Sequence, residues 1–199
     1  KNVLNASAPL PIAFTLKVID AGTRQVPQAY SSLAWDSPEM VFLVARLIDQ
    51  IAPLLGTRPW SYAIGNEIES YFARHPGEIA AFARMLEQVK PLVHYRHPGA
   101  SLTTVWQMSA VGSIKTTYAP VFAVLDHVAL TYYPLNPDMT VRPPGAVHDD
   151  LAYALQTTSP LPIALQEIGY PTAAVLGSSE ERQREFMRSA FDAVGAAGP

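Results

Sequence analysis

Residues 60–67 read Trp-Ser-Tyr-Ala-Ile-Gly-Asn-Glu, an apolar run that ends abruptly in an amide and a carboxylate. The run from Trp60 to Gly65 has the length and the aromatic and aliphatic content of a buried strand. A long amphipathic stretch from about Glu78 to Tyr95 follows it, which indicates a helix whose buried stripe includes Phe82 and Leu86. The same order of strand and helix recurs along the chain, and it predicts an α/β protein with a parallel sheet.

The chain contains five such strand–helix units in a single domain. We predict the strands at residues 12–19, 60–65, 101–106, 127–133 and 161–166. Two folds accommodate five units, namely an open doubly wound sheet and part of an eight-stranded (β/α)8 barrel. A full barrel typically needs about 250 residues, so this chain would supply only part of one. Composition and periodicity leave both folds open.

Composition excludes several classes of function. The 199 residues include no cysteine, which excludes disulfides, cysteine-ligated metals and thiol catalysis. A net charge of −3 gives no attraction for nucleic acid or for an anionic membrane surface. No apolar run is long enough to predict a membrane-spanning helix. The histidines show no ligand spacing, so we expect neither a metal nor another cofactor.

The chemistry lies where the predicted strands end, because parallel α/β folds place their active sites at the carboxyl ends of the strands. Glu67 follows the second strand directly and Glu167 follows the fifth. Four aromatic residues also stand at strand ends: Trp106, Tyr132, Tyr133 and Tyr170. A pair of carboxylates is what cleavage of a glycosidic bond requires, and aromatic rings stack on the apolar faces of sugars. This combination indicates a glycoside hydrolase.

The tripeptide Gly65-Asn66-Glu67, together with Glu167 at a later strand end, resembles clan GH-A of the glycoside hydrolases. The resemblance implies an α/β fold of the (β/α)8 TIM-barrel type, with the five strands here matching barrel strands three to seven. It also implies that Glu67 is the acid/base and Glu167 the nucleophile of a retaining mechanism. Residues 1–199 would then form a single catalytic domain, a fragment without barrel strands one, two and eight.

Two segments give finer resemblances within the clan. Residues 167–172, Glu-Ile-Gly-Tyr-Pro-Thr, are similar to the Glu-x-Gly-Trp-Pro-Ser segment of family 17 β-1,3-glucanases, with Tyr170 in place of the tryptophan. The Gly-Asn-Glu-Ile and Tyr-Tyr-Pro segments at residues 65–68 and 132–134 are similar to those of family 53 endo-β-1,4-galactanases. These resemblances imply cleavage of O-glycosidic bonds in a β-linked oligo- or polysaccharide.

The resemblance also assigns substrate contacts. Asn66 is expected to hydrogen-bond the sugar 2-hydroxyl, an interaction that strengthens in the transition state. Either Tyr132 or Tyr133 is expected to donate to the nucleophile, and the alternation of side chains along a strand allows only one; we favour Tyr133. Trp106 and Tyr170 are candidate sugar platforms.

Three further expectations concern burial. Met187, Ala190, Phe191 and Val194 are expected to form the buried face of the last helix. The apolar run that precedes Glu167 is expected to be buried on both faces of its sheet. Glu69, by contrast, is expected to be exposed to solvent.

Two other interpretations remain open. One is a non-hydrolytic carbohydrate-binding or structural barrel of the same fold, and the other is an unrelated enzyme on an open sheet. We expect a carbohydrate as the substrate, with no nucleic-acid or membrane partner, and the sequence predicts no oligomeric state. A secreted or periplasmic location is favoured for an enzyme that degrades polysaccharides, although Lys1 to Pro11 show no signal peptide.

Overall fold

A computed structural model of the chain describes residues 10–198 as a mixed α/β structure with parallel sheets. Residues 1–9, most of the segment in which the sequence shows no leader, and residue 199 lie outside the described residues. The strands are β1 (Ile12–Asp20), β2 (Thr23–Arg24), β3 (Pro59–Asn66), β4 (Ser101–Thr103), β5 (Val105–Gln107), β6 (Val128–Tyr132) and β7 (Ile163–Ile168). The helices are α1 (Pro38–Leu55), α2 (Ile68–Phe72), α3 (Ile79–Arg96), α4 (Ala119–Phe122), α5 (Ala146–Thr158) and α6 (Glu180–Ala197).

The described strands form two sheets, in the orders β2-β1-β3-β4 and β5-β6-β7. All neighbours are parallel except the short β2, which pairs antiparallel with β1. The strand predicted over residues 101–106 is interrupted at Thr104, whose buried hydroxyl donates to the carbonyl oxygen of Gly65 at 3.4 Å. One short segment therefore joins the sheets, and the parallel neighbours follow chain order without the reversal of a doubly wound sheet.

The main hydrophobic core lies between the first sheet and the long helices α1 and α3. Trp35, Phe72 and Phe82 are fully buried, with ring centroids 5.4 Å apart for Trp35 and Phe82 and 5.3 Å apart for Phe72 and Phe82. Phe82 belongs to the stripe of α3 that the sequence predicts to be buried. Truncating such a side chain to alanine typically costs about 3–5 kcal/mol of stability.

The outer edge of the second sheet, at β7, is uncovered, which corrects two expectations of burial. No strand among residues 10–198 pairs with the outer edge of β7, and its residues are half-buried or exposed instead of buried on both faces. Phe191 and Val194, predicted for the core face of α6, are 73% and 46% exposed. They line an apolar groove of about 570 Å³ between α5, β7 and α6. Helix α6 buries Phe186, Ala190 and Ala193 instead.

None of the helices within residues 10–198 is both long enough and apolar enough to cross a lipid bilayer.

Candidate active site

Glu67 occupies a strained turn between β3 and α2. Its backbone is left-handed, with φ 47° and ψ 49°, a conformation that costs a non-glycine residue roughly 1–2 kcal/mol. The preceding Gly65 has φ 88°, and a Cβ at that position would overlap Ile68. The turn thus directs the Glu67 side chain away from the continuation of the strand. Backbone strain of this kind is concentrated at functional sites.

The Glu67 carboxyl group is held by two neutral donors from the second sheet. Gln107 Nε2 donates to Oε2 at 2.9 Å, and Thr131 Oγ1 donates to Oε1 at 2.8 Å. Gln107 and Thr131 are register partners on β5 and β6. A hydroxyl can accept as well as donate, so Thr131 can stay paired when Glu67 carries a proton. The arrangement orients the carboxyl group without fixing its charge.

Glu167 lies within β7 and is exposed to solvent. Its Oε1 accepts a hydrogen bond from the hydroxyl of Tyr133, which is the bond predicted from the sequence. That bond, with smaller contributions from burial and from the charges of Glu167 and Glu67, raises the pKa of Tyr133 to about 12. Tyr133 therefore remains a hydrogen-bond donor across the physiological pH range.

Gly169 makes room for this tyrosine. A Cβ at Gly169 would overlap the Tyr133 ring at Cε1 and Cδ1. The Gly169 amide donates to the carbonyl oxygen of Tyr132 at 3.1 Å, which keeps the chain after β7 close to β6. Residue 169 is thus required to be glycine on steric grounds, because any side chain there would displace Tyr133, the hydrogen-bond partner of Glu167.

Strand β6 connects the two glutamates. Thr131 pairs in register with Glu167 and donates its hydroxyl to Glu67, and Tyr133, two residues later, donates to Glu167. Alternate residues of an extended chain share one side, so the Thr131 and Tyr133 side chains point to the same side of the sheet. The structure thus brings both predicted carboxylates to one side of β6.

Asn66, at the end of β3, is buried and donates its Nδ2 to Asp20 Oδ1 at 2.9 Å. Lys17 Nζ lies 3.2 Å from the same oxygen. The hydrogen bond from Asn66 is the main cause that lowers the pKa of Asp20, and Lys17 adds to it. One N–H of the Asn66 amide is used by Asp20, which leaves the second N–H and the side-chain carbonyl oxygen for a hydroxyl.

Trp106 and Tyr132, both proposed as substrate contacts, have no accessible face. Trp106 is 0% exposed and packs on Tyr118 with centroids 5.1 Å apart. Tyr132 is 1% exposed and donates its hydroxyl to Asp150 at 2.6 Å. A sugar cannot stack on a ring that is fully covered, so both residues are core residues in this structure.

Tyr170 is likewise buried, with 3% of its surface exposed. Its hydroxyl donates to the carbonyl oxygen of Arg142 at 2.6 Å, and its ring stacks on Phe186 with centroids 4.9 Å apart. The sequence could not reveal this, because the residue follows a strand end just as an exposed platform would. Of the four candidate rings, Tyr133 alone is substantially exposed, at 44%.

A cleft of about 560 Å³ opens beside Glu67. The loop after β6 forms one wall, where the Asn136 amide donates to the Thr140 carbonyl oxygen at 2.8 Å and Met139 has φ 68°. The cleft is lined by Glu67, Gln107, Met108, Ser109, Thr131, Tyr133, Leu135, Asn136, Pro137 and Met139. Sequence reasoning singled out neither Gln107 nor Thr131, although both stand at strand ends, where polar residues are informative.

Glu69 differs from the expectation of an exposed side chain. Both of its carboxyl oxygens are buried, and neither makes a hydrogen bond of normal geometry among the described residues. Burial is the main cause that raises its pKa to about 7, and the charge of Glu67 adds to the shift. The backbone amides of Glu69 and Gln107 oppose the shift without cancelling it.

No protein-family model matches the chain, and no curated protein matches it either. Solved structures do. The GH53 catalytic domain of Ignisphaera aggregans matches with a TM-score of 0.64 and 17% identity, over 88% of this chain and 54% of that one. An exo-β-1,4-mannosidase from Opitutaceae bacterium strain TAV5 matches with a TM-score of 0.64 and 17% identity, over 89% of this chain and 36% of that one.

A third match is the glycoside hydrolase family 17 β-1,3-glucanosyltransferase of Rhizomucor miehei. Its TM-score is 0.56 and its identity 17%, over 76% of this chain and 55% of that one. All three have clan GH-A folds, and the described residues are similar to part of that fold. The chain spans about half, or less, of each of these proteins.

Proposed function

We propose that this chain carries the catalytic residues of a retaining glycoside hydrolase, with Glu67 as acid/base and Glu167 as nucleophile. One observation supports this above all others: β6 supplies a hydrogen bond to each glutamate from the same side, through Thr131 and Tyr133. Retaining enzymes need two carboxyl groups about 5–5.5 Å apart across the scissile bond. Two carboxylates held from one strand by donors two residues apart suit that requirement.

The reaction proceeds in two displacements. In the first, a carboxylate oxygen of Glu167 bonds to the anomeric carbon while the glycosidic C–O bond breaks, and Glu67 gives its proton to the leaving oxygen. In the second, Glu67 takes a proton from a water molecule whose oxygen attacks the anomeric carbon, and the ester bond to Glu167 breaks. Two inversions at one carbon retain its configuration.

Two neighbours assist these steps. Tyr133 donates to Glu167 and so keeps the attacking carboxylate oriented. Asn66 accepts a hydrogen bond from the sugar 2-hydroxyl, and this contact strengthens as positive charge develops at the anomeric carbon. The substrate is a β-linked oligo- or polysaccharide, and no step needs a cofactor.

The architecture that we propose is part of a (β/α)8 barrel in one domain. The five parallel units, β1, β3, β4 with β5, β6 and β7, correspond to barrel strands three to seven. Three observations support this: the units follow chain order, the outer edge of β7 is unpaired among the described residues, and an apolar groove lies beside it. Across the sheets, Gln166 on β7 donates to the Thr15 hydroxyl on β1 at 2.7 Å, as expected for strands that curve towards each other.

Hydrolysis of aryl β-glycosides tests the assignment. Glu167→Ala should lose nearly all activity, and azide should restore some of it with a product of inverted configuration. With Glu67→Ala, azide should give a product of retained configuration, because the nucleophile is still present. Glu87→Ala, an exposed glutamate of α3, is the control and should behave as the unaltered protein does.

Near-normal turnover by Glu167→Ala would overturn the proposal. Saccharide binding without any release of product by the unaltered protein would favour the alternative, a carbohydrate-binding or structural barrel of the same fold. The burial of Trp106 and Tyr170 argues against that alternative, because it removes both candidate sugar platforms.

A further inference from the structure

The loop after β6 folds back on its own start. The backbone amide of Arg142 donates to the carbonyl oxygen of Pro134 at 2.8 Å, which closes the base of the loop. Residues 135–141 lie between these two residues, and four of them line the cleft beside Glu67. Arg142 therefore contacts the residue that directly follows Tyr133.

Arg142 ties the base of this loop to two other elements. Its guanidinium group binds the carboxylate of Asp150 on α5 at two points, from Nη1 to Oδ2 and from Nη2 to Oδ1, the latter at 3.0 Å. Its backbone carbonyl oxygen accepts a hydrogen bond from the hydroxyl of Tyr170, after β7, at 2.6 Å. A two-point ion pair fixes orientation as well as distance. Because the Asp150 side chain is only 18% exposed, salt screens this pair less than it screens a pair at the surface.

Asp150 also reaches the end of β6. The hydroxyl of the buried Tyr132 donates to Oδ2 of Asp150 at 2.6 Å. The residue before Tyr133 is thus held through Asp150, and the residue after it through Arg142. Tyr133 needs such support, because it is 44% exposed and lies one residue past the end of β6, where strand pairing no longer fixes the chain.

We propose that Arg142 and Asp150 are positioning residues, whose ion pair holds the backbone on both sides of Tyr133 and so aims its hydroxyl at Glu167. Neither Arg142 nor Asp150 lines the cleft, so they act through Tyr133 and not on a substrate. That Glu167 is the nucleophile rests on the proposed function. The aim of the Tyr133 hydroxyl at Glu167 does not, since it is a contact within the chain.

Carbon-13 NMR of labelled tyrosine tests the aim without relying on activity. Tyr132→Phe removes only the hydroxyl that reaches Asp150, and Asp150→Asn removes the negative charge of the ion pair. In both variants the pKa of Tyr133 should fall from about 12 towards its ordinary value of 10, because the bond to Glu167 is the main cause of the shift. Asp149→Asn, at the adjacent exposed aspartate of α5, removes the same charge and should leave that pKa at about 12.

The two variants differ in a useful way. Tyr132→Phe changes no charge and keeps the ion pair, so its effect on Tyr133 can only be geometric. It also remains informative if Asp150→Asn unfolds the chain. The charges that act on the Tyr133 hydroxyl are those of Glu167 and Glu67, so the loss of Asp150 should reach it mainly through the backbone.

A double-mutant cycle in kcat separates positioning from a structural role. Asp150→Asn alone should lower kcat by roughly 3- to 10-fold, and by less than Tyr133→Phe does, because it misaligns the hydroxyl without removing it. In the Tyr133→Phe background the same substitution should lower kcat no further, since the hydroxyl that it aims is already absent. A structural role for Asp150 would instead give losses that multiply.

Two results would overturn the positioning role. One is a Tyr133 pKa that stays at about 12 in Tyr132→Phe and in Asp150→Asn, and the other is a pair of kcat losses that multiply in the double variant. A chain in which the Tyr133 pKa falls as expected, but which hydrolyses no glycoside, contradicts the proposed function and still supports the positioning of Tyr133.

Discussion

Tyr133 donates its phenolic hydroxyl to Oε1 of Glu167, from the end of one parallel strand to the neighbouring strand. The donor follows β6 by one residue and the acceptor lies inside β7, so a backbone pairing determines where the two side chains meet. Thr131 on the same side of β6 holds Glu67 in a comparable way. The relative position of the two glutamates thus depends on the register of the second sheet.

Removing the Tyr133 hydroxyl tests how much this bond contributes. Hydrogen bonds to charged groups contribute about 1.5–3 kcal/mol, so Tyr133→Phe should lower kcat by roughly 10- to 100-fold if Glu167 is the nucleophile. Steady-state kinetics measure the loss. Tyr95→Phe, an exposed tyrosine of α3, is the matched control. Unchanged kcat in Tyr133→Phe would show that the bond has no catalytic part.

Adding one methyl group at Gly169 should break the same bond indirectly. In Gly169→Ala the Tyr133 ring must move, because the new Cβ would overlap it. The pKa of Tyr133 should then fall from about 12 towards its ordinary value of 10, since the bond to Glu167 is its main cause. Carbon-13 NMR of labelled tyrosine reports that pKa. Gly99→Ala, where a Cβ would meet nothing, should leave it at about 12.

Asp20 should affect activity only through Asn66. In Asp20→Ala the Asn66 amide loses the partner that orients it. The hydrogen bond between Asn66 and the sugar 2-hydroxyl joins two neutral groups and contributes about 0.5–1.5 kcal/mol, so its loss predicts a roughly 2- to 10-fold lower kcat/KM. A 2-deoxy glycoside lacks the hydroxyl that Asn66 would bind, so it should show no difference between the two proteins. Lys17→Ala, which leaves the bond from Asn66 to Asp20 intact, is the control. An equal loss with both glycosides would contradict the role of Asn66.

Glu69 should make the fold less stable as pH rises. Its folded-state pKa, about 7, lies above its ordinary value of 4.5, so the folded protein holds a proton that the unfolded chain has lost. Stability should therefore fall between about pH 4.5 and pH 7, by roughly 3 kcal/mol from this group. Denaturant unfolding of Glu69→Gln should lack that part of the fall, whereas Glu87→Gln should retain it. Parallel pH profiles for Glu69→Gln and the unaltered protein would contradict the shift.

The secondary structure was largely predictable, because its signals are local. The apolar run at residues 60–65 and the stripe of α3 that includes Phe82 follow from periodicity alone, and the structure confirms both. The interruption at Thr104 was not predictable, since the hydroxyl of this residue contacts Gly65, which lies far away in the chain. The exposure of β7 was not predictable either, because an apolar strand has the same sequence pattern whether or not another strand or helix packs on it.

Some features of the candidate site were likewise predictable from the sequence, and others were not. The Asn66-Glu67 pair and Glu167 stand out in the sequence because polar residues directly after apolar strands are costly unless they are used or paired. The burial of Trp106 and Tyr170 was not predictable from the sequence, since a ring at a strand end can face solvent or the core. The burial of Glu69 was not predictable either, since a carboxylate in the first turn of a helix can face solvent or the interior.

The sequence by itself determined the α/β pattern and made Glu67 and Glu167 candidates, because periodicity and side-chain chemistry are local properties of the chain. Only the tertiary structure decided that Thr131 and Tyr133 hold those glutamates from one side of β6, and that the carboxyl oxygens of Glu69 are buried. The physical reason is that hydrogen bonding and desolvation depend on which faces meet in space. Strand register and packing between residues far apart in the chain determine these contacts.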